Sequence, residues 1–120
     1  MEPVSNCTSD AEDPLGQPNT VEVEVRDGVA VLTLCGELDL WMADLVRLRF
    51  DDLDGDVEVD CAGLTFMDAA GIRLLLEMDR NCRARGAKLV VVSPPRCVTR
   101  LLALVQLDGA FDVRSKVPGW

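Results

Sequence analysis

The sequence predicts an α/β fold with one mostly parallel sheet whose first strand is antiparallel, in the order β-β-α-β-α-β-α-β, with the helices mainly on one face. Three observations carry this. After a single hairpin signal at Asp27-Gly28, each alternating or continuous apolar run is followed by a segment of helical periodicity, as in parallel crossover units. Right-handed crossovers between neighbouring parallel strands lay such helices on one side of the sheet. A chain of 120 residues, 48% apolar and 28% charged, holds one domain with a real core and no apolar run of membrane-spanning length.

The elements follow in order. Residues 1–20 carry Glu2, Asp10, Glu12 and Asp13, no Lys or Arg, and prolines at 3, 14 and 18, a composition expected of a flexible acidic tail. Val21, Val23 and Val25 then alternate with Glu22, Glu24 and Arg26, and Asp27-Gly28 turns the chain into the apolar run Val29 to Cys35. Behind Asp39, the positions Trp41, Met42, Leu45 and Leu48 suggest a helix laid on the sheet, stopping in the acidic turn Asp51 to Asp56. Val57, Val59 and Cys61 alternate with Glu58 and Asp60, giving a strand with one face near water. The next helix buries Leu74, Leu75, Met78 and Cys82 and stops at Gly86. Lys88 to Val92 is a buried strand. Ser93-Pro94-Pro95 then opens a helix with Ser93 as N-cap and Val98, Leu101, Leu102 and Val105 on its apolar face, and Phe111 to Arg114 closes the fold.

Composition excludes several kinds of chemistry. Histidine is absent, which removes the commonest general base, the usual Ser and Cys triads and most catalytic zinc sites. The five cysteines, at 7, 35, 61, 82 and 97, include no C-x-x-C, so neither a zinc ribbon nor a thioredoxin-like site is expected. Cys82 lies on an apolar helix face, while Cys35 and Cys61 sit on adjacent strands and form a candidate redox pair. The acidic turn fails as an EF-hand, because Gly55 is misplaced and strand follows at once. A net charge of −9 suits phosphate backbones poorly, so no direct nucleic-acid contact is expected. The acidic start lacks the basic and apolar regions of a secretory signal, which makes the cytoplasm the expected compartment, with no membrane insertion. Arg80, Arg83, Arg85 and Lys88 surround a helix C-terminus, where positive charge complements the dipole.

Two segments remain, "GELDL" at 36–40 and "FMDAAG" at 66–71. Both follow the C-terminal end of a strand and precede a helix, the edge at which open α/β sheets bind. Asp39 and Asp68 are each placed to cap the helix that follows. Taken singly, capping explains either aspartate.

Together the segments resemble the signatures of the STAS domain, the family of bacterial anti-sigma factor antagonists. The resemblance runs from about Val21 to Val113 and rests on Gly36-Glu37-Leu38-Asp39, Leu64-Thr65-Phe66-Met67-Asp68, Gly71, Ser93-Pro94-Pro95, Leu107-Asp108 and Phe111. It implies a STAS domain over 21–115, followed by a short C-terminal tail at 116–120. It further implies a non-enzymatic protein without cofactor or metal, which docks on an anti-sigma factor of GHKL-type kinase fold and so frees a sigma factor for transcription. In the family, phosphorylation of a serine in an Asp-Ser-Ser-Gly type segment reverses the docking, adding about −1.5 to −2 charges to a tightly apposed surface. Here Ala70 stands in the phosphoacceptor place and Ala69 replaces the other hydroxyl residue.

The resemblance therefore implies a partner-binding set of Gly36, Glu37, Asp39, Met67, Asp68, Ala69, Ala70 and Gly71 that cannot be phosphorylated at Ala70. Control would be constitutive or rest on another input, such as redox chemistry at Cys35 and Cys61, a small ligand, abundance, or a neighbouring hydroxyl at Thr65 or Ser93. The alternative is a non-catalytic STAS subunit of a larger assembly, either a signalling scaffold or a lipid-transport ATPase complex. A homodimer is left open.

Overall fold

The computed structural model describes residues 19–115. Of the tail expected over 1–20, residues 1–18 lie outside that range, as does the tail at 116–120. Strands β1 (Thr20–Arg26) and β2 (Val29–Leu38) form the hairpin, with Asp27 and Gly28 at φ 52° and 81°, the left-handed pair that a two-residue turn of type I′ requires. The chain continues through α1 (Leu40–Phe50), β3 (Val57–Met67), α2 (Ala69–Ala84), β4 (Leu89–Val92), α3 (Arg96–Leu104) and β5 (Asp112–Arg114). The sheet order is β1-β2-β3-β4-β5, antiparallel at the first pair and parallel at the other three.

All three helices pack on one face. Leu32 and Leu34 of β2, Val57, Val59 and Cys61 of β3, and Leu89 and Val91 of β4 share one core with Val46 of α1, Leu75 of α2 and Val98 of α3. The alternate residues point the other way. Glu58 is half-buried there and pairs with Arg114 at 2.7 Å, in keeping with a partly wetted face. Asp60 departs from that expectation: it is 5% exposed and accepts the Ala62 N–H at 3.0 Å.

Helix α2 buries the predicted Leu74, Leu75, Met78 and Cys82, and Gly86, at φ 78°, closes it with bonds from the Gly86 and Ala87 N–H groups to Arg83 and Cys82 carbonyls. The other two helices correct the sequence reading. In α1 the sheet-facing residues are Met42, Ala43, Val46 and Phe50, whereas Trp41, Leu45 and Leu48 point into solvent. In α3 the N-cap is Pro95, not Ser93, and no side chain caps the helix. Ser93 has φ 51° and donates its N–H to the Arg114 carbonyl at 2.7 Å, tying the end of β4 to β5. Val105 lies just beyond α3 and is 46% exposed. Two of the four residues of the basic cluster are engaged locally: Arg83 pairs with Asp79 at 2.8 Å, and Arg85 donates to the Gly55 carbonyl at 3.0 Å and lies over the Phe50 ring.

Candidate functional site

Strands β2 and β3 run on together past the end of β4. Their pairing continues to Leu38 opposite Met67, whereas β3 pairs with β4 only as far as Asp60 opposite Val92. The two singled-out segments are therefore strand ends first and helix entries second. The β2–β3 register shifts between Thr33 and Cys35 and again between Gly36 and Glu37. Gly36 sits at the second shift with φ 98°, a backbone that a residue with a Cβ adopts at a cost. Cross-links hold the irregular stretch: the Thr65 hydroxyl donates to the Gly36 carbonyl at 3.2 Å, the Asp68 N–H to the Leu38 carbonyl at 3.4 Å, and the Glu37 N–H to Asn19 Oδ1 at 2.9 Å.

Each strand then enters its helix through an aspartate in extended conformation. Asp39 Oδ1 accepts the Met42 N–H at 3.1 Å, and Asp68 Oδ1 accepts the Ala70 N–H at 2.9 Å. Both carboxylates thus satisfy donors that a helix start leaves open. At Gly71 the first turn of α2 sits directly on the strand ends. A Cβ there would lie 2.6 Å from Met67 Cγ and 3.0 Å from Leu38 Cγ.

The predicted set comes together but divides in role. Gly36, Met67 and Gly71 are buried and form the floor of this edge. Glu37, Asp39, Asp68 and Ala70 are half-buried, and Ala69 is exposed. Two shallow apolar hollows of about 240 Å³ each flank this edge. One is lined by Phe66, Met67, Cys97, Arg100, Leu101 and Leu104, the other by Ala69, Ile72, Arg73, Leu76, Val105 and Leu107. Methyl groups and helix-capping carboxylates suit surface contact more than proton transfer or nucleophilic attack. Among the described residues, no group of three or more His, Cys, Asp or Glu is placed to hold a metal ion.

A family model described as "Mlab, STAS domain" matches residues 21–117. The chain belongs to the STAS domain family. An anti-sigma F factor antagonist from Paenibacillus polymyxa is 30% identical over 100 residues, covering 78% of this chain and 81% of that protein. Among solved structures, tm1081 from Thermotoga maritima superposes with a TM-score of 0.74 at 19% identity, over 81% of this chain and 87% of that one. The anti-sigma factor antagonist SpoIIAA in its unphosphorylated form gives 0.71 at 19% identity, over 82% and 89%. The phosphorylated form of SpoIIAA, from Bacillus, gives 0.67 at 20% identity, over 82% and 92%. At these identities the structures speak for the fold.

Two features of this STAS domain were missed or misjudged in the sequence. Phe66 and Trp41 are 45% and 80% exposed, and the signal for Trp41 was present, since α1 carries more apolar residues than one sheet-facing stripe can use. The redox pair is the second. Cys61 faces the helix-covered core with Val59 and is a free thiol, whereas Cys35 follows core-facing Leu34 and points to the opposite face. Cys35 is disulfide-bonded, and not to Cys61. Burial, with Asp60 and Cys97 nearby, pushes the Cys61 thiol up to about 12, which keeps it protonated at neutral pH. No helix among the described residues is long and apolar enough to cross a membrane.

Proposed function

We propose that this STAS domain is an anti-sigma factor antagonist of the cytoplasm. It docks on an anti-sigma factor of GHKL-type serine-kinase fold and so frees a sigma factor for transcription, without catalysis or cofactor. The relative from Paenibacillus polymyxa supports the class of partner, and the edge built from β2, β3 and the first turn of α2 supports the place of contact. Glu37, Asp39, Asp68, Ala69 and Ala70 meet the partner, while Gly36, Met67 and Gly71 hold the surface in shape.

One observation carries the regulatory part of the proposal. Asp68 caps α2 on the N–H of Ala70, so the position resembling the family's phosphoacceptor is a methyl at an ordered helix start. A phosphate there would add about −1.5 to −2 charges beside the capping carboxylate, and alanine cannot accept one. Docking is therefore not reversed at Ala70, and control is constitutive or enters elsewhere. A Cys35–Cys61 pair is not placed to supply it.

The test is a pull-down of the tagged chain at native salt, followed by incubation of the recovered partner with ATP and intact-mass measurement. The expected result is a kinase-fold anti-sigma factor that leaves the mass of the antagonist unchanged. Recovery of a transporter ATPase or a scaffold homologue would instead assign the domain to the alternative, a non-catalytic subunit of a larger assembly.

A further inference from the structure

Helix α1 carries two apolar stripes. One, Met42, Val46 and Phe50, is spent on the core. On the other, Trp41, Leu45 and Leu48 follow i, i+4, i+7 and are 80%, 49% and 65% exposed, with Leu40 beside them at 65%. A surface helix normally has one apolar stripe, and a second one marks a contact. A hollow of about 300 Å³ opens between Leu40, Trp41 and Asp44, an apolar slot with a carboxylate on its rim.

We infer that this stripe is a docking site for an amphipathic helix whose apolar anchors are flanked by Lys or Arg, contributed by the partner that meets the Asp68–Ala70 edge. This rests on the proposed function for the identity of the partner. Position and charge select the occupant. The stripe begins two residues after the Asp39 cap, so it is continuous with that edge. Acidic side chains lie at both of its ends, Glu37, Asp39 and Asp44 at one and Asp51, Asp52 and Asp54 at the other. Of the two basic residues on α1, Arg47 is already bonded to Asp44 and Glu77. A basic helix matches that field and can set a cation on the Trp41 face. A net charge of −9 opposes both an anionic membrane and a second copy of the chain. A few side chains also fall short of the roughly 800 Å² per partner of a standard interface.

The experiment uses the full chain with Trp120→Phe, which leaves Trp41 as its one tryptophan. Titration with an 18-residue Leu/Lys amphipathic helix should shift Trp41 emission to the blue and shield it from acrylamide, and a Leu/Glu counterpart should do neither. Calorimetry with the Trp41→Ser/Leu45→Ser variant should show Leu/Lys binding weakened roughly tenfold or more, with an unchanged melting temperature because both side chains face solvent. Equal binding of both peptides, unweakened binding by the variant, a shift caused by phosphatidylglycerol vesicles and not by the peptide, or Trp41 already buried in a dimer would each overturn the inference. With the recovered anti-sigma factor the two readings separate. If Ala70→Glu abolishes binding and the double variant does not weaken it, the α1 site is wrong and the antagonist reading stands. If the double variant alone weakens it, the edge at Ala70 is wrong and the α1 site stands.

Discussion

Helices α1 and α2 begin alike and then diverge at three successive positions. Asp39 and Asp68 cap them from near-identical extended backbones, Asp39 on the Met42 N–H and Asp68 on the Ala70 N–H, yet Leu40, Trp41 and Met42 follow the first, where Ala69, Ala70 and Gly71 follow the second. In α1 the third residue is a methionine, 1% exposed and inserted into the core; in α2 it is a glycine with no room for a Cβ above Met67 and Leu38. The first two positions are a large exposed apolar pair in one helix and two methyls in the other. The same capping device thus presents an anchor at one helix start and a flat floor at the other. Both starts lie at the C-terminal edge of the sheet, so a partner lying across that edge reaches both.

The largest effects are expected where each third residue is forced toward the other's size. Met42→Ala leaves a cavity and should cost about 2–5 kcal/mol. Gly71→Val overpacks the strand ends and should cost about 1–3 kcal/mol. Urea unfolding measures both, and a neutral Gly71→Val would break the claim that α2 is seated by contact at that point. At the second position, Ala70→Glu should weaken partner binding by roughly thirtyfold or more, on the scale of an interface hot spot. It should leave folding intact, because a carboxylate in the first turn favours the helix by about 0.3–1 kcal/mol. Calorimetric binding alongside a melt separates the two effects.

Smaller effects sharpen the shared part of the comparison. Asp39→Ala and Asp68→Ala should each cost about 1 kcal/mol, and a marked inequality in denaturant midpoints would show that bonding the third helical N–H and bonding the second are not equivalent caps. Arg47 reaches from α1 to Glu77 of α2 with two bonds of 2.9 and 3.1 Å. The pair is partly exposed, so Glu77→Gln should cost less than about 1 kcal/mol, and less again at high salt.

Element order and sheet direction were legible from the hairpin signal and the alternation of strand and helix periods. So was the buried face of α2, because its charged residues leave a single apolar stripe. The face of α1 was not. Trp41-Leu45-Leu48 and Met42-Val46-Phe50 are both helical stripes, and spacing alone does not say which one meets the sheet. The two motif segments were visible as helix entries with aspartate caps. That they are also paired strand ends depends on register shifts at Thr33/Cys35 and Gly36/Glu37, set by tertiary pairing. The same pairing gave Cys35 and Cys61 neighbouring strands but opposite faces. Ser93-Pro94-Pro95 carried a cap signal, yet the chain uses Ser93 to reach β5 and starts α3 beyond the prolines. Size at the helix starts was plain to see, whereas exposure of the large residues was not.

The central claim, docking at the start of α2 that a kinase cannot reverse at Ala70, is tested most directly by measuring affinity for the recovered anti-sigma factor before and after incubation with ATP. Wild type should keep its affinity and its mass, while Ala70→Ser should gain a phosphate and lose binding. Wild-type protein that acquires a phosphate and releases its partner would contradict the account.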